Sequence, residues 1–329
     1  MLSSISRGGS LSFCSFFSFS SPTPLFLCHF ILQTNLETAH RSATMATKFT
    51  IYRGFPSTSN HVWSPFVNKL ETRLRLANIP YRIDVGSPRN APRGKIPYLS
   101  TTEDGTGHVL SDTALITRQF VADGTLRDLN AGLSPSQQAQ DLAVRALLED
   151  KLYFYLQRER WVDNYYAMRD GVLAALPFPV RVLVGNLAYR AVAASLHGQG
   201  TGRYSADEVR ALKQEVWEGL AAMLSESRVA AAAREDGSRD TPFWILGRAD
   251  PTEADATVYG FLAASLVCTA YVIPPHAVSF HVSLHCLLFL RCLAPTALAP
   301  TALAPQAPGT DSSDYGPVLV LLPAPPRPY

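Results

Sequence analysis

Three groups of residues have types and spacings that chemistry uses. His276, His281, His285 and Cys286 contain an H-x-x-x-H step beside a thiol, a set that can hold zinc. Pro274-Pro275 precede it, no carboxylate accompanies it and a Pro/Ala-rich tail follows, so no metal site is expected. Gly198-Gln199-Gly200-Thr201-Gly202 has the glycines of a phosphate loop, yet no strand leads into it and no lysine follows in register; it reads as a plain loop. The third group places a hydroxyl or a carboxylate where helices begin: Ser64 before Pro65, Asp112 before Thr113, and Thr252 three residues ahead of Asp255. A helix start presents unpaired N–H groups and the positive end of the macrodipole, so anions are favoured there. The plain structural role of each is a helix cap.

The elements that would position these residues follow from local patterns. Ser64-Pro65 supplies an N-cap and a proline at the first helical position. Phe66, Leu70, Leu74 and Ala77 then recur at helical spacing, with Asn68, Lys69, Glu71, Arg73 and Arg75 on the other side. Asn78 can close the helix in the left-handed conformation. Lys48 to Tyr52 reads as a strand, and Gly54 and Pro56 punctuate the connection. Tyr81 to Val85 alternates as a second strand, Ile96-Pro97-Tyr98-Leu99 gives a short third, and His108-Val109-Leu110 a hairpin-paired fourth. Ser111-Asp112 then caps a second helix running to Val121. The order is β-α-β followed by β-β-α, with a parallel first pair and a right-handed crossover.

Beyond Gly132 the composition turns helical. Ser134-Pro135-Ser136-Gln137 starts a helix expected to reach Trp161, and Ser205 with Glu208 starts another with Val209, Leu212, Val216, Leu220 and Met223 inward. The aromatic run of Tyr153, Phe154, Tyr155, Trp161, Tyr165 and Tyr166 reads as core packing more than as pocket lining. Thr252 and Asp255 form a reciprocal box ahead of a helix from Ala254 to Val267, apolar nearly all round and therefore central. As a cap alone, this box sets the cost of Asp255→Ala at about 1 to 2 kcal/mol.

Taken together and in order, Ser64 to Thr72, Ile79-Pro80-Tyr81, Arg93 to Tyr98, Ser111-Asp112-Thr113 and Pro251 to Ala256 resemble the glutathione transferases. Within that superfamily they look like the branch of the failed-axon-connections proteins and the metaxins, fungal members included. The resemblance covers about Lys48 to Ala270. It implies an α/β thioredoxin-like domain over residues 46–124 and an all-helical transferase-type domain over residues 134–271. It also implies glutathione as co-substrate, with no metal. Asp112 would face the ammonium of the γ-glutamyl end, and Thr113 with the free N–H groups of its helix would face the carboxylate. Ile96, ahead of a cis Pro97, would pair with the cysteinyl backbone, and Lys95 would reach the glycyl carboxylate. Ser64 would be the catalytic donor to the thiolate, with Tyr52 and Trp63 as alternatives, and Thr252 and Asp255 would cap the core helix. Two functions stay open: transfer of glutathione to a small electrophile, or a non-catalytic, metaxin-like adaptor using the fold for protein contacts. A homodimer is implied by the family only.

Composition bounds the rest. With 329 residues, 47% apolar and 17% charged, the chain is globular, and a net charge of +2 gives no case for nucleic acid. Five cysteines suggest no disulfide framework, so a reducing, cytoplasmic setting is expected, with the mitochondrion as the alternative. Residues 1–45 are rich in Ser and Phe and broken by Pro22 and Pro24. A signal peptide, an uncleaved anchor, a transit peptide and a start at Met45 are all compatible with them, and membrane association follows only from a genuine leader. Residues 272–329 diverge from the family pattern and are expected to be disordered.

Overall fold

The computed structural model describes residues 48–57, 59–101, 107–234 and 241–270, together with the backbone of Ala302–Leu303. The leader, the His276 to Cys286 set and, that backbone pair apart, the stretch 272–329 lie outside the described residues. β1 (Phe49–Tyr52), α1 (Pro65–Leu76), β2 (Tyr81–Asp84), β3 (Tyr98–Thr101), β4 (Val109–Ser111) and α2 (Thr113–Ala122) follow in the expected order. The sheet runs β4-β3-β1-β2, and β5 (Ala302–Leu303) lies parallel along the outer edge of β2. β1 is parallel to β2 and antiparallel to β3, which is antiparallel to β4. This is the thioredoxin-like arrangement. Ile51 and Leu99 face Leu70 and Leu74 of α1 and Ile116 and Phe120 of α2 in one apolar cluster.

The second half is helical. α3 (Pro135–Ala146) runs on through wider π-type turns at Leu147–Leu152, into α4 (Tyr153–Arg158) and a second wide stretch at Glu159–Asp163. The single helix expected from Ser134 to Trp161 is therefore one path with two changes of pitch. α5 (Tyr165–Val172), α6 (Phe178–Gln199), α7 (Ala206–Ala232) and α8 (Glu253–Val267) complete it. Reciprocal boxes at Ser134/Gln137 and Ser205/Glu208 start α3 and α7. The aromatic run divides: Tyr155 is buried in the helical core, whereas Tyr166 is 70% exposed and serves no core.

α1 departs most from the simple amphipathic picture. Asn68, Lys69, Glu71, Arg73 and Arg75, opposite the apolar stripe, are each at most 3% exposed. α8 lies across them, antiparallel, and Gly260 permits the approach: a Cβ there would sit 2.5 Å from the Pro65 carbonyl oxygen and 2.8 Å from the Lys69 nitrogen. Burying charge is tolerable only with a partner. Lys69 pairs with Glu149 and Arg73 with Glu253 of α8, the latter at 2.7 Å.

Asp255 is fully buried, and the box over Thr252 is present. Its Oδ2 accepts from the Thr252 N–H at 2.8 Å and from the Thr252 hydroxyl at 2.9 Å, while Oδ1 accepts from the Ile245 N–H at 2.7 Å. The last bond ties the preceding loop to the helix and makes the carboxylate more than a cap. Asp255→Ala is therefore expected to lower stability by about 3 kcal/mol, since each buried donor left unsatisfied costs about 1 to 3 kcal/mol; the midpoint of denaturant unfolding reads this. Burial pushes the Asp255 carboxyl from its ordinary 3.8 up to about 6. Between those values the folded chain holds a proton that the unfolded chain has released. This contribution is fully present below about pH 4 and is lost as pH rises through about 6, and Asp255→Asn should flatten that slope of stability against pH.

Candidate functional site

The register across the sheet gathers the chemistry-bearing residues. Tyr52, Tyr98 and Ser111 lie in one row across β1, β3 and β4. The chain leaves β1 just after this row, enters β3 just before it and leaves β4 just after it. The loop that leads to Ser64, the Ile96–Pro97 step and the Asp112–Thr113 step therefore share one end of the sheet. Gly54 has φ of 87°, and a Cβ there would come within 2.8 Å of Ile96 Cγ1, so the loop crosses directly against Ile96. The Ile96–Pro97 bond is cis, Pro97 is buried, and the exposed Lys95 precedes them.

Ser64 is half-buried at the start of α1, where its Oγ accepts from the Val67 N–H at 3.4 Å. The hydroxyl proton is not used in that bond. Asp112 is exposed with φ of 78°, unusual for a residue with a side chain. Its Oδ1 accepts from the N–H groups of Ala114 at 3.0 Å and Leu115 at 3.2 Å. The resemblance had reserved the donors at this helix start for a ligand carboxylate; two of them are taken by Asp112 itself. Thr113 beside it is buried.

Residues that the sequence did not single out for this role hold the loop between β1 and α1. Arg53 forks onto Glu71 at 2.7 and 2.8 Å, and its other terminal nitrogen donates to the carbonyls of Ser57 and Ser59, both at 2.8 Å. Arg75 donates to the same Glu71 at 2.9 Å and to the Asn60 carbonyl at 3.4 Å. Burial and the Glu71 charge push the Tyr81 phenol up, so it stays protonated and donates to Glu71 at 3.1 Å. Asn68 brackets Val62, accepting from its N–H at 2.9 Å and donating to its carbonyl at 2.8 Å. Arg160 donates to the Trp63 carbonyl at 2.9 Å, and His61 Nε2 meets the Tyr259 hydroxyl at 2.8 Å. The available signal was the density of charge opposite the apolar stripe of α1.

A hollow of about 270 Å³ opens between this loop and the end of α8, with Phe55, Asn60, His61, Trp63 and Val267 among its walls. Burial raises the Cys268 thiol pKa, which leaves it a poor nucleophile. Among the described residues, no group of three or more His, Cys, Asp or Glu is placed to hold a metal ion, and no helix is long and apolar enough to cross a membrane.

A family model described as the glutathione S-transferase N-terminal domain matches residues 65–168. The isoprene-epoxide glutathione S-transferase of Rhodococcus sp. (strain AD45) is 30% identical over 173 residues, covering 49% of this chain and 69% of that protein. Among solved structures, the glutathione transferase GSTFuA3 from Phanerochaete chrysosporium is 14% identical and aligns over 76% of this chain and 97% of its own, with a TM-score of 0.49. Ure2p in complex with glutathione is 11% identical over 82% of this chain and 96% of its own, with a TM-score of 0.45.

Glu71 is the part of this arrangement on which most depends. Glu71→Gln would leave two buried guanidinium groups without their counter-charge, and a loss of about 3 to 5 kcal/mol is expected in denaturant unfolding.

Proposed function

The chain belongs to the glutathione transferase family, and we propose that it binds glutathione at this end of the sheet and transfers it to a small electrophile. The observation that carries the reading is the row of Tyr52, Tyr98 and Ser111 at one end of the sheet, from which the loop toward Ser64 departs and beside which the cis Ile96–Pro97 step and the Asp112–Thr113 step lie. In this reading Ile96 offers its backbone to the cysteinyl unit, Lys95 meets the glycyl carboxylate, and Asp112 with Thr113 takes the γ-glutamyl end. Ser64 donates its unused hydroxyl proton to the sulfur.

The energetics are adequate for that role. A free thiol has a pKa of about 8.5, and lowering it by about two units requires about 2.7 kcal/mol. A helix N-terminus supplies up to about 2 kcal/mol in partly buried geometry, and a hydrogen bond to the charged sulfur about 1.5 more. The thiolate then attacks an electrophilic carbon, forming the C–S bond as the leaving group departs or a strained ring opens. A serine here cannot form a mixed disulfide, which separates this chemistry from thiol transfer.

One observation favours the second reading, a non-catalytic adaptor of the failed-axon-connections and metaxin branch. The Asp112 carboxylate already caps α2, so its placement has a structural cause that needs no ligand. The motif set from Ser64 to Thr72 and from Arg93 to Tyr98 supports that branch equally under either reading.

Calorimetric titration of glutathione into the full chain, with Ser64→Ala and Asp112→Ala beside it, separates the two. Saturable binding is expected, weakened strongly by Asp112→Ala. Ser64→Ala should raise the bound thiol pKa by about one unit, the equivalent of about 1.4 kcal/mol, with little change in affinity. Absence of binding by folded protein would overturn the transferase reading and leave the adaptor.

A further inference from the structure

His61, on the wall of the hollow between the β1–α1 loop and α8, is in direct contact at 2.8 Å with Tyr259, 198 residues away in sequence. The contact fixes a tautomer. Tyr259 is 2% exposed, and among the described residues the recorded hydrogen-bond partner of its hydroxyl is His61 Nε2. A buried O–H must donate somewhere. If Nε2 carried the proton, the phenol would be left with no acceptor among the described residues; with Nε2 accepting, the ring proton sits on Nδ1. Burial, the Arg75 cation and, more weakly, the Arg53 cation hold the imidazole pKa below its ordinary value against the opposing pull of Glu71, so the ring is neutral at pH 7. A neutral imidazole in this state is a fixed hydrogen-bond donor, a form suited to polarising an oxygen.

The Nδ1–H finds no acceptor among the described residues, and half-buried His61 lines the hollow. Phe55, Val62, Trp63 and Val267 make apolar walls, Ser57, Ser59 and Asn60 are the neutral polar residues beside His61, and among the described lining residues there is no lysine, arginine or carboxylate side chain. A ligand here is therefore uncharged. The volume of about 270 Å³ equals that of about nine liquid waters at about 30 Å³ each, room for a molecule of roughly ten heavy atoms. We propose that this hollow binds a small, largely apolar molecule carrying one oxygen acceptor, with the His61 Nδ1–H donating to that oxygen and Tyr259 positioning the ring. Its use as the subsite for an oxygen-bearing electrophile, such as an epoxide or an unsaturated ketone, rests on the glutathione reading. Binding itself does not.

The test uses the full chain with ¹⁵N-labelled histidine and no glutathione, so the two readings fail independently. The His61 ring should report the Nδ1–H tautomer, and acetophenone should shift its resonances saturably. Acetophenone is compared with cumene, a hydrocarbon of the same shape lacking the oxygen. His61→Phe should lower the acetophenone-to-cumene affinity ratio about fivefold, the size of one net hydrogen bond. Tyr259→Phe, which keeps the ring but frees its tautomer, should lower the ratio in the same direction and mix the tautomers. An Nε2–H tautomer in the unmodified chain, a failure of acetophenone to saturate, or a ratio unchanged by both substitutions would overturn the proposal.

Discussion

Glu71 is a single carboxylate serving three donors, Arg53, Arg75 and Tyr81, from three different elements, with almost no exposure to solvent. Such a group adds little net stability compared with apolar packing, because desolvation offsets most of the Coulomb attraction. What it supplies is geometry. Arg53 has a fixed fork, so once Glu71 holds one side of the guanidinium the other side is aimed at the Ser57 and Ser59 carbonyls. The path of the loop, and hence the approach of the chain to Ser64, follows from the position of one buried anion.

The same logic runs along α1. A helix buried on both sides must be apolar all round or must match every polar group it carries. α8 is apolar over its second half and gathers its paired polar residues, Glu253, Asp255 and Thr257, near its start, whereas α1 pairs its charges along its length, with Lys69 and Arg73 matched one turn apart and Asn68 turned back onto Val62. The two helices can approach because Gly260 removes a side chain where the Pro65 carbonyl passes. The start of α1 is consequently held against the middle of α8, with the loop folded over the remainder.

Much of this architecture was legible locally. Prolines and capping residues located the starts of α1, α3, α7 and α8, and alternation located β2, because those features depend on neighbours a few residues away. Periodicity revealed which residues of α1 lie opposite Leu70 and Leu74 but not what covers them, so a stripe of charges resembled a solvent face. Arg53 and Glu71 are 18 residues apart and His61 and Tyr259 are 198 apart, distances over which no repeat or spacing carries a signal. Asp112 was legible as a residue of interest, yet capping a helix and facing a ligand call for the same side chain, and only the direction of Oδ1 separates them.

The separation of these contacts in the chain also bears on the order in which the protein matures. Asn68 donates to the Gly260 carbonyl across 192 residues, and His61 reaches Tyr259 across a similar span. A nascent chain emerging from the ribosome can pair β1 with β2 early, since their partners are close together. The loop ahead of Ser64 cannot take up all of its contacts until α8 has been synthesised and has docked, because contacts of such high order come late. A segment encoded near the beginning of the fold is thus completed by the last described helix, and a chain stopped before Tyr259 would carry every motif of the first half with that loop unfinished.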